Sequence, residues 1–97
     1  MALRVVFTDD AIETLQSTAR FIQNKWGVRQ AEKFLDRAYR VVFLVSENPY
    51  MNKAFRSSDN TRVGLVSKQT SFIYRVQENE IIILFFWDNR QEPFFTD

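Results

Sequence analysis

The sequence predicts a small α+β domain of order β-α-α-β-β-β, in which an N-terminal strand and an antiparallel helical hairpin pack on one face of a small, mainly antiparallel sheet. Three observations predict it. The first half carries two apolar stripes at helical spacing, the second half carries three β-rich runs joined by short polar connections, and a β-branched run precedes both. Ninety-seven residues make one domain, 1–97, large enough to bury a core without disulfides or metals.

Leu3 to Phe7 is short, β-branched and aromatic, and it stops at Thr8-Asp9-Asp10, which offers a capping oxygen followed by acids in the first helical turn. This reads as strand, then helix. Ile12, Leu15, Ala19, Ile22 and Trp26 recur at spacings of three and four, with Glu13, Gln16, Arg20 and Gln23 turned away, and Gly27 supplies the stop.

A second stripe follows at once: Ala31, Phe34 with Leu35, Ala38, Val41 with Val42, and Val45. Arg29, Glu32, Lys33, Asp36, Arg37 and Arg40 occupy the other side, and Pro49 closes the helix. With only Trp26-Gly27-Val28 between the stripes, the helices form an antiparallel hairpin whose stripes face one way, and that face needs a sheet beneath it.

Thr61 to Ser67, Thr70 to Val76 and Glu80 to Trp87 supply the sheet as a three-strand meander, with Lys68-Gln69 and Gln77-Glu78-Asn79 at its turns. Tyr50 to Asn60 reads as a loop with a short extended piece at Lys53 to Phe55. In the last run strict alternation would place Ile81, Ile83, Phe85 and Trp87 on one face and Ile82, Leu84 and Phe86 on the other, so both faces are apolar. A hairpin covers one of them. Either Phe94-Phe95 folds over the second face or another chain does.

Composition excludes more chemistry than it suggests. With 45% apolar residues, 26% charged, two Gly and two Pro, the chain is that of an ordinary globular core. It has no Cys and no His, which removes thiolate and imidazole catalysis, disulfides and most transition-metal sites, so no metal or cofactor is expected. Any chemistry must run on Arg, Lys, Tyr and carboxylates. The formal charge of +1 is too small for general phosphate binding, yet it hides a contrast: Lys53 to Arg75 holds five cations and one acid, whereas Val76 to the end holds one cation and five acids. The longest apolar run, Ile81 to Trp87, is far short of a bilayer span of about 20 residues, and Met1 to Phe7 has no signal-peptide core. The expected location is the cytoplasm, with no membrane partner.

In combination, several segments resemble the RelE/ParE superfamily of toxins from type II toxin–antitoxin systems. They are Val5-Val6-Phe7-Thr8 with Ala11 and Leu15, the Trp26-Gly27 turn, Ala31 with Phe34-Leu35, Asn48-Pro49, the Arg62 strand, Phe72-Ile73-Tyr74-Arg75-Val76, and Ile81-Ile82-Ile83-Leu84 leading to Trp87-Asp88-Asn89-Arg90. The similarity covers essentially the whole chain. It implies a small bacterial toxin that arrests growth, stabilises plasmids and is held inactive by a cognate antitoxin, as a homodimer or a hetero-oligomer with that antitoxin. Phe85, Phe86, Trp87, Phe94 and Phe95 are then the antitoxin-binding candidates.

The superfamily divides by target. RelE-like members cut ribosome-bound mRNA with strand-borne cations and a C-terminal Tyr, a chemistry that needs no His because cations stabilise the charged transition state while a Tyr or Lys moves a proton. Arg62 and Arg90 fall at basic positions of that pattern, whereas Gly64, Ser71 and the terminal Phe94 and Phe95 stand where it has other groups. By elimination the chain is closer to ParE-like members, which poison DNA gyrase, with Arg56, Arg62, Arg75 and Arg90 as target-binding candidates. Two alternatives remain: a ribosome-dependent mRNA endonuclease using Arg62 and Arg90, and a non-toxic relic that only binds its partner. Taken singly, Arg62, Arg75 and Arg90 also read as solvated arginines paired with Glu78, Glu80 or Asp88, and Tyr74 reads as core.

Overall fold

The computed structural model describes residues 2–52, 54 and 60–90. Strand β1 (Arg4–Phe7) leads into helix α1 (Asp9–Trp26), helix α2 (Val28–Glu47) follows after Gly27, and β2 (Thr61–Leu65), β3 (Thr70–Gln77) and β4 (Glu80–Asp88) complete the regular structure of the described residues. The sheet order is β1-β4-β3-β2, with β1 parallel to β4 and the other pairs antiparallel. The predicted fold class and element order are those observed.

Local chemistry explains the boundaries. The Thr8 hydroxyl accepts the Ala11 amide at 3.0 Å as an N-cap, with Asp9 and Asp10 in the first turn of α1. Gly27 has φ 99° and ψ 167°, a conformation closed to side chains, which lets the chain reverse on a single residue. The α1 stripe is rotated from the expected one. Ala11, Leu15 and Ala19 are buried, while Ile12 is 44% and Trp26 53% exposed, because the two alanines allow α1 to lie close against the sheet. The α2 stripe matches expectation, with Ala31, Phe34, Ala38, Val42 and Val45 buried.

One irregularity decides what β4 presents. Tyr74 pairs with Ile83 but its neighbour Ile73 pairs with Phe85, so Leu84 is an extra residue in the ladder. The bulge inverts the alternation. Phe86 therefore joins Ile81 and Ile83 in the core under the helices, within 6.4 Å of the Phe7 ring and 5.7 Å of the Phe72 ring, instead of lying on the opposite face. Two threonines, the N-cap Thr8 and Thr14 of α1, hold the distortion: Thr8 Oγ1 donates to the Leu84 carbonyl at 2.7 Å, and the Phe86 amide donates to Thr14 Oγ1 at 2.9 Å. The face away from the helices carries Ile82, Phe85 and Trp87 opposite Arg75, Ile73 and Ser71. Ile73 and Ser71 are buried there. The expectation that Phe94-Phe95 covers this face falls on residues outside those described.

Candidate functional site

The candidate cations of the meander occupy two different settings. Arg62 sits opposite Tyr74, and both lie on the core side of the sheet, near the point where the loop after α2 returns to β2. Its guanidinium carbon is 4.8 Å from the Tyr50 ring centroid, Nη1 donates to the Asn52 carbonyl and Nη2 reaches Asn60 Oδ1 at 3.5 Å, while Nε is buried and has no acceptor among the described residues. This is no solvated strand-face arginine. Tyr74, fully buried, donates its hydroxyl to the Pro49 carbonyl at 3.1 Å and accepts from Asn52 Nδ2 at 3.2 Å. Burial raises the phenol's pKa, against smaller lowering effects from the Asn52 hydrogen bond and the Arg62 charge. The phenol stays protonated with its proton committed to Pro49, so the cluster ties residues 49–52 onto the sheet.

Gly64 lies on the same side, opposite Phe72. A Cβ there would stand 2.5 Å from the Phe72 ring, so the core aromatic takes the space that a basic side chain would need. The absence of a cation at this position has a packing cause.

Arg90 closes the other end. Its Nε and Nη2 grip both carboxylate oxygens of Asp88 at 3.0 and 2.9 Å, and its guanidinium carbon stands 5.1 Å from the Phe21 ring centroid on α1. The hydrogen bond from Arg90 lowers the Asp88 pKa, and the same bond raises that of Arg90. The expected Arg90–Asp88 pairing is thus observed, and Glu80 pairs with Arg4 at 2.9 Å. Asn89 clips this end to the β2–β3 turn: its amide donates to the Gln69 carbonyl at 2.7 Å, its Nδ2 to that of Lys68 at 3.2 Å, and its Oδ1 accepts from Ser71 at 2.9 Å. Ser71 has a structural task.

The structure does not bring Arg62 and Arg90 together. They flank opposite ends of a stretch from Tyr74 to Thr70, about 14 Å at the usual strand rise of about 3.4 Å per residue. Arg75 lies on the outer face of β3, with Nε 3.4 Å from Thr61 Oγ1. Phe85 and Trp87 share that outer face, Phe86 is core, and Arg56, Phe94 and Phe95 lie outside the described residues.

Sequence reasoning missed a trough beside Arg90. A cavity of about 340 Å³ there continues into a groove of about 530 Å³ along α2, and the two share Ile22, Trp26, Phe34 and Ser67. Lys33 and Arg37 edge the groove. The available signal was two cations four residues apart, directly beside the apolar stripe of α2. Among the described residues no group of three His, Cys, Asp or Glu could hold a metal ion, and no helix is long and apolar enough to cross a membrane.

The fold and the whole chain have known counterparts. A family model described as the ParE toxin of type II toxin–antitoxin systems, parDE, matches residues 5–93. Among solved structures, the chain resembles one in the chromosomal ParDE system of P. aeruginosa at TM-score 0.74 and 19% identity, over 90% of this chain and 96% of that one. It resembles one in the RelBE2 toxin–antitoxin complex of Mycobacterium tuberculosis at 0.60 and 18%, over 91% and 99%. The YoeB dimer of Staphylococcus aureus gives 0.57 and 14%, over 88% and 94%. At these identities the likeness is one of fold. No curated protein matches in sequence.

Proposed function

The chain belongs to the ParE toxin family of type II toxin–antitoxin systems, and on that premise we propose that it arrests growth in the bacterial cytoplasm by binding and poisoning DNA gyrase, until a cognate antitoxin neutralises it. In a plasmid setting such a pair favours cells that keep the plasmid. The observation that carries binding over nuclease chemistry is the placement of Arg62 and Arg90. Two cations that are to stabilise one phosphorane-like transition state must converge on one phosphate. Here the stretch of β3 from Tyr74 to Thr70, about 14 Å, lies between the strand positions they flank, and one is tied to the Asn52 carbonyl and the other to Asp88. The solved relatives described as toxin–antitoxin systems support the antitoxin partner.

The test is a gyrase supercoiling assay with purified toxin, run beside a translating extract in which mRNA integrity is followed. Inhibited supercoiling with intact mRNA is the expected result, relieved by adding the antitoxin. Normal supercoiling at excess toxin overturns the gyrase reading. Cleaved mRNA that becomes intact with the Arg62→Ala/Arg90→Ala double variant establishes the nuclease alternative instead.

A further inference from the structure

We propose that the open end of the helical hairpin is a docking site for a basic amphipathic helix of another protein. A cavity of about 230 Å³ opens there, lined by Phe7, Ile12, Leu15, Gln16 and Tyr39, where β1 enters α1 beside α2. Its floor is continuous with the core, because Leu15 is buried and the Phe7 ring lies 6.4 Å from that of Phe86. Its mouth is open to solvent. Tyr39, with its ring 6.2 Å from that of Phe7, and Phe43, one turn further along α2, are each more than half exposed, and Ile12 nearly half. The stripe of Phe34, Ala38, Val42 and Val45 already serves the core, so Tyr39 and Phe43 form a second apolar row on the same helix, of the kind that marks an interaction surface.

Charge selects the occupant. Asp9 and Glu13 flank Ile12 on α1, while on α2 Asp36 stands one turn before Tyr39 and Glu47 one turn after Phe43. All four acids are exposed, and among the described residues none lies within ion-pair distance of a cation. The start of α1 offsets part of the Asp9 charge, and Arg40 opposes the rest, which leaves the rim acidic. A second copy turned about a two-fold axis would set these acids against each other, and a nucleic acid or an anionic lipid surface would be repelled likewise. Lys and Arg are attracted. Along α2, Tyr39 and Phe43 are about 6 Å apart and Asp36 and Glu47 about 16 Å. These spacings fit a partner helix that carries an apolar pair one turn apart at its centre and cations near both ends, the apolar pair settling between Ile12, Tyr39 and Phe43.

The probe is a labelled synthetic amphipathic helix, Leu along one face and Lys at both ends, titrated against the full chain by fluorescence anisotropy at low and high salt. Binding is expected, weakened by salt and reduced at least about tenfold by either double variant, Ile12→Ser/Tyr39→Ser or Asp36→Lys/Glu47→Lys. Leu65→Ser, at an exposed apolar position of β2, is expected to leave affinity within about twofold, which separates the site from general surface hydrophobicity. Circular dichroism confirms that the variants fold. Absence of peptide binding overturns the proposal, as does binding that ignores Ile12→Ser/Tyr39→Ser. Equal affinity for the same peptide with Glu in place of Lys overturns it too. Sedimentation velocity of the chain alone supplies the last outcome: self-association that Ile12→Ser/Tyr39→Ser abolishes would make a second copy the occupant and overturn the assignment. None of these readouts involves gyrase, so the docking site and the proposed target stand or fall separately.

Discussion

The two ends of the central hairpin use arginine in opposite ways. At the base, Arg62 turns inward, its guanidinium on Tyr50 and its hydrogen bonds on the Asn52 carbonyl and Asn60, so that charge serves to fasten a loop. At the tip, Arg90 turns outward against Phe21 and Asp88, beside an open trough edged by Lys33 and Arg37. The residue type is the same, but burial and partners differ. A cation whose donors are spent on backbone carbonyls is a structural element, whereas one held in an exposed ion pair stays at the surface.

The contrast predicts a gradient of stability effects. Tyr74→Ala is expected to cost about 3–5 kcal/mol in urea unfolding, because a fully buried ring and its hydroxyl network are lost together. Gly64→Ala follows at about 1–3 kcal/mol, since the Phe72 ring has no room to retreat within the core. Arg62→Ala is expected to cost about 1–2 kcal/mol and to increase proteolytic nicking near residues 49–52. If it proves as harmless as a change at the tip, the distinction between the ends collapses. Asp88→Asn should leave the urea midpoint within error, because this pair is solvent-exposed.

Titration sharpens the same comparison. The raised phenol pKa of Tyr74 means that its stabilisation is fully present below the ordinary tyrosine value and is lost as pH rises through the raised one. Alkaline unfolding should therefore be blunted in Tyr74→Phe, monitored by phenolate absorbance alongside circular dichroism. For Asp88 the sign is reversed. Its lowered pKa gives a small contribution present above the ordinary carboxylate value and lost as pH falls through the folded one, and Asp88→Asn should remove that slight acid dependence.

The helices were legible because a 3.6-residue period needs only local residues, and the Gly27 reversal because so little chain separates the stripes. The β-rich runs were legible too, within two residues at each end. What local pattern could not give was which way strands face. In β2 the apolar Val63 and Leu65 turn outward and Arg62 and Gly64 inward, the reverse of a hydrophobicity reading, because Phe72 and Tyr74 occupy the core side of the neighbouring strand. In β4 the alternation breaks at Leu84, where the deciding hydroxyls belong to Thr8 and Thr14 at the other end of the sequence. The candidate site fared similarly. The cations were visible as residue types and Lys33 and Arg37 are exposed as read, but the groove they line together with Trp26 and Ser67 depends on how α2 meets the β2–β3 turn.

The link between Thr8 and Leu84 joins residues 76 positions apart, and among the described residues β1 has no strand partner except β4. During synthesis the first strand must therefore wait, with its ladder unformed, until the last strand has been made. Until then the helices lack β4, on which α1 and β1 both rest. A toxin built this way gains its finished sheet only after β4 has been made. A chain ending before Glu80 should show helical circular dichroism without a cooperative melt; a cooperative transition in that fragment would mean that the two ends of the chain are not needed to complete each other.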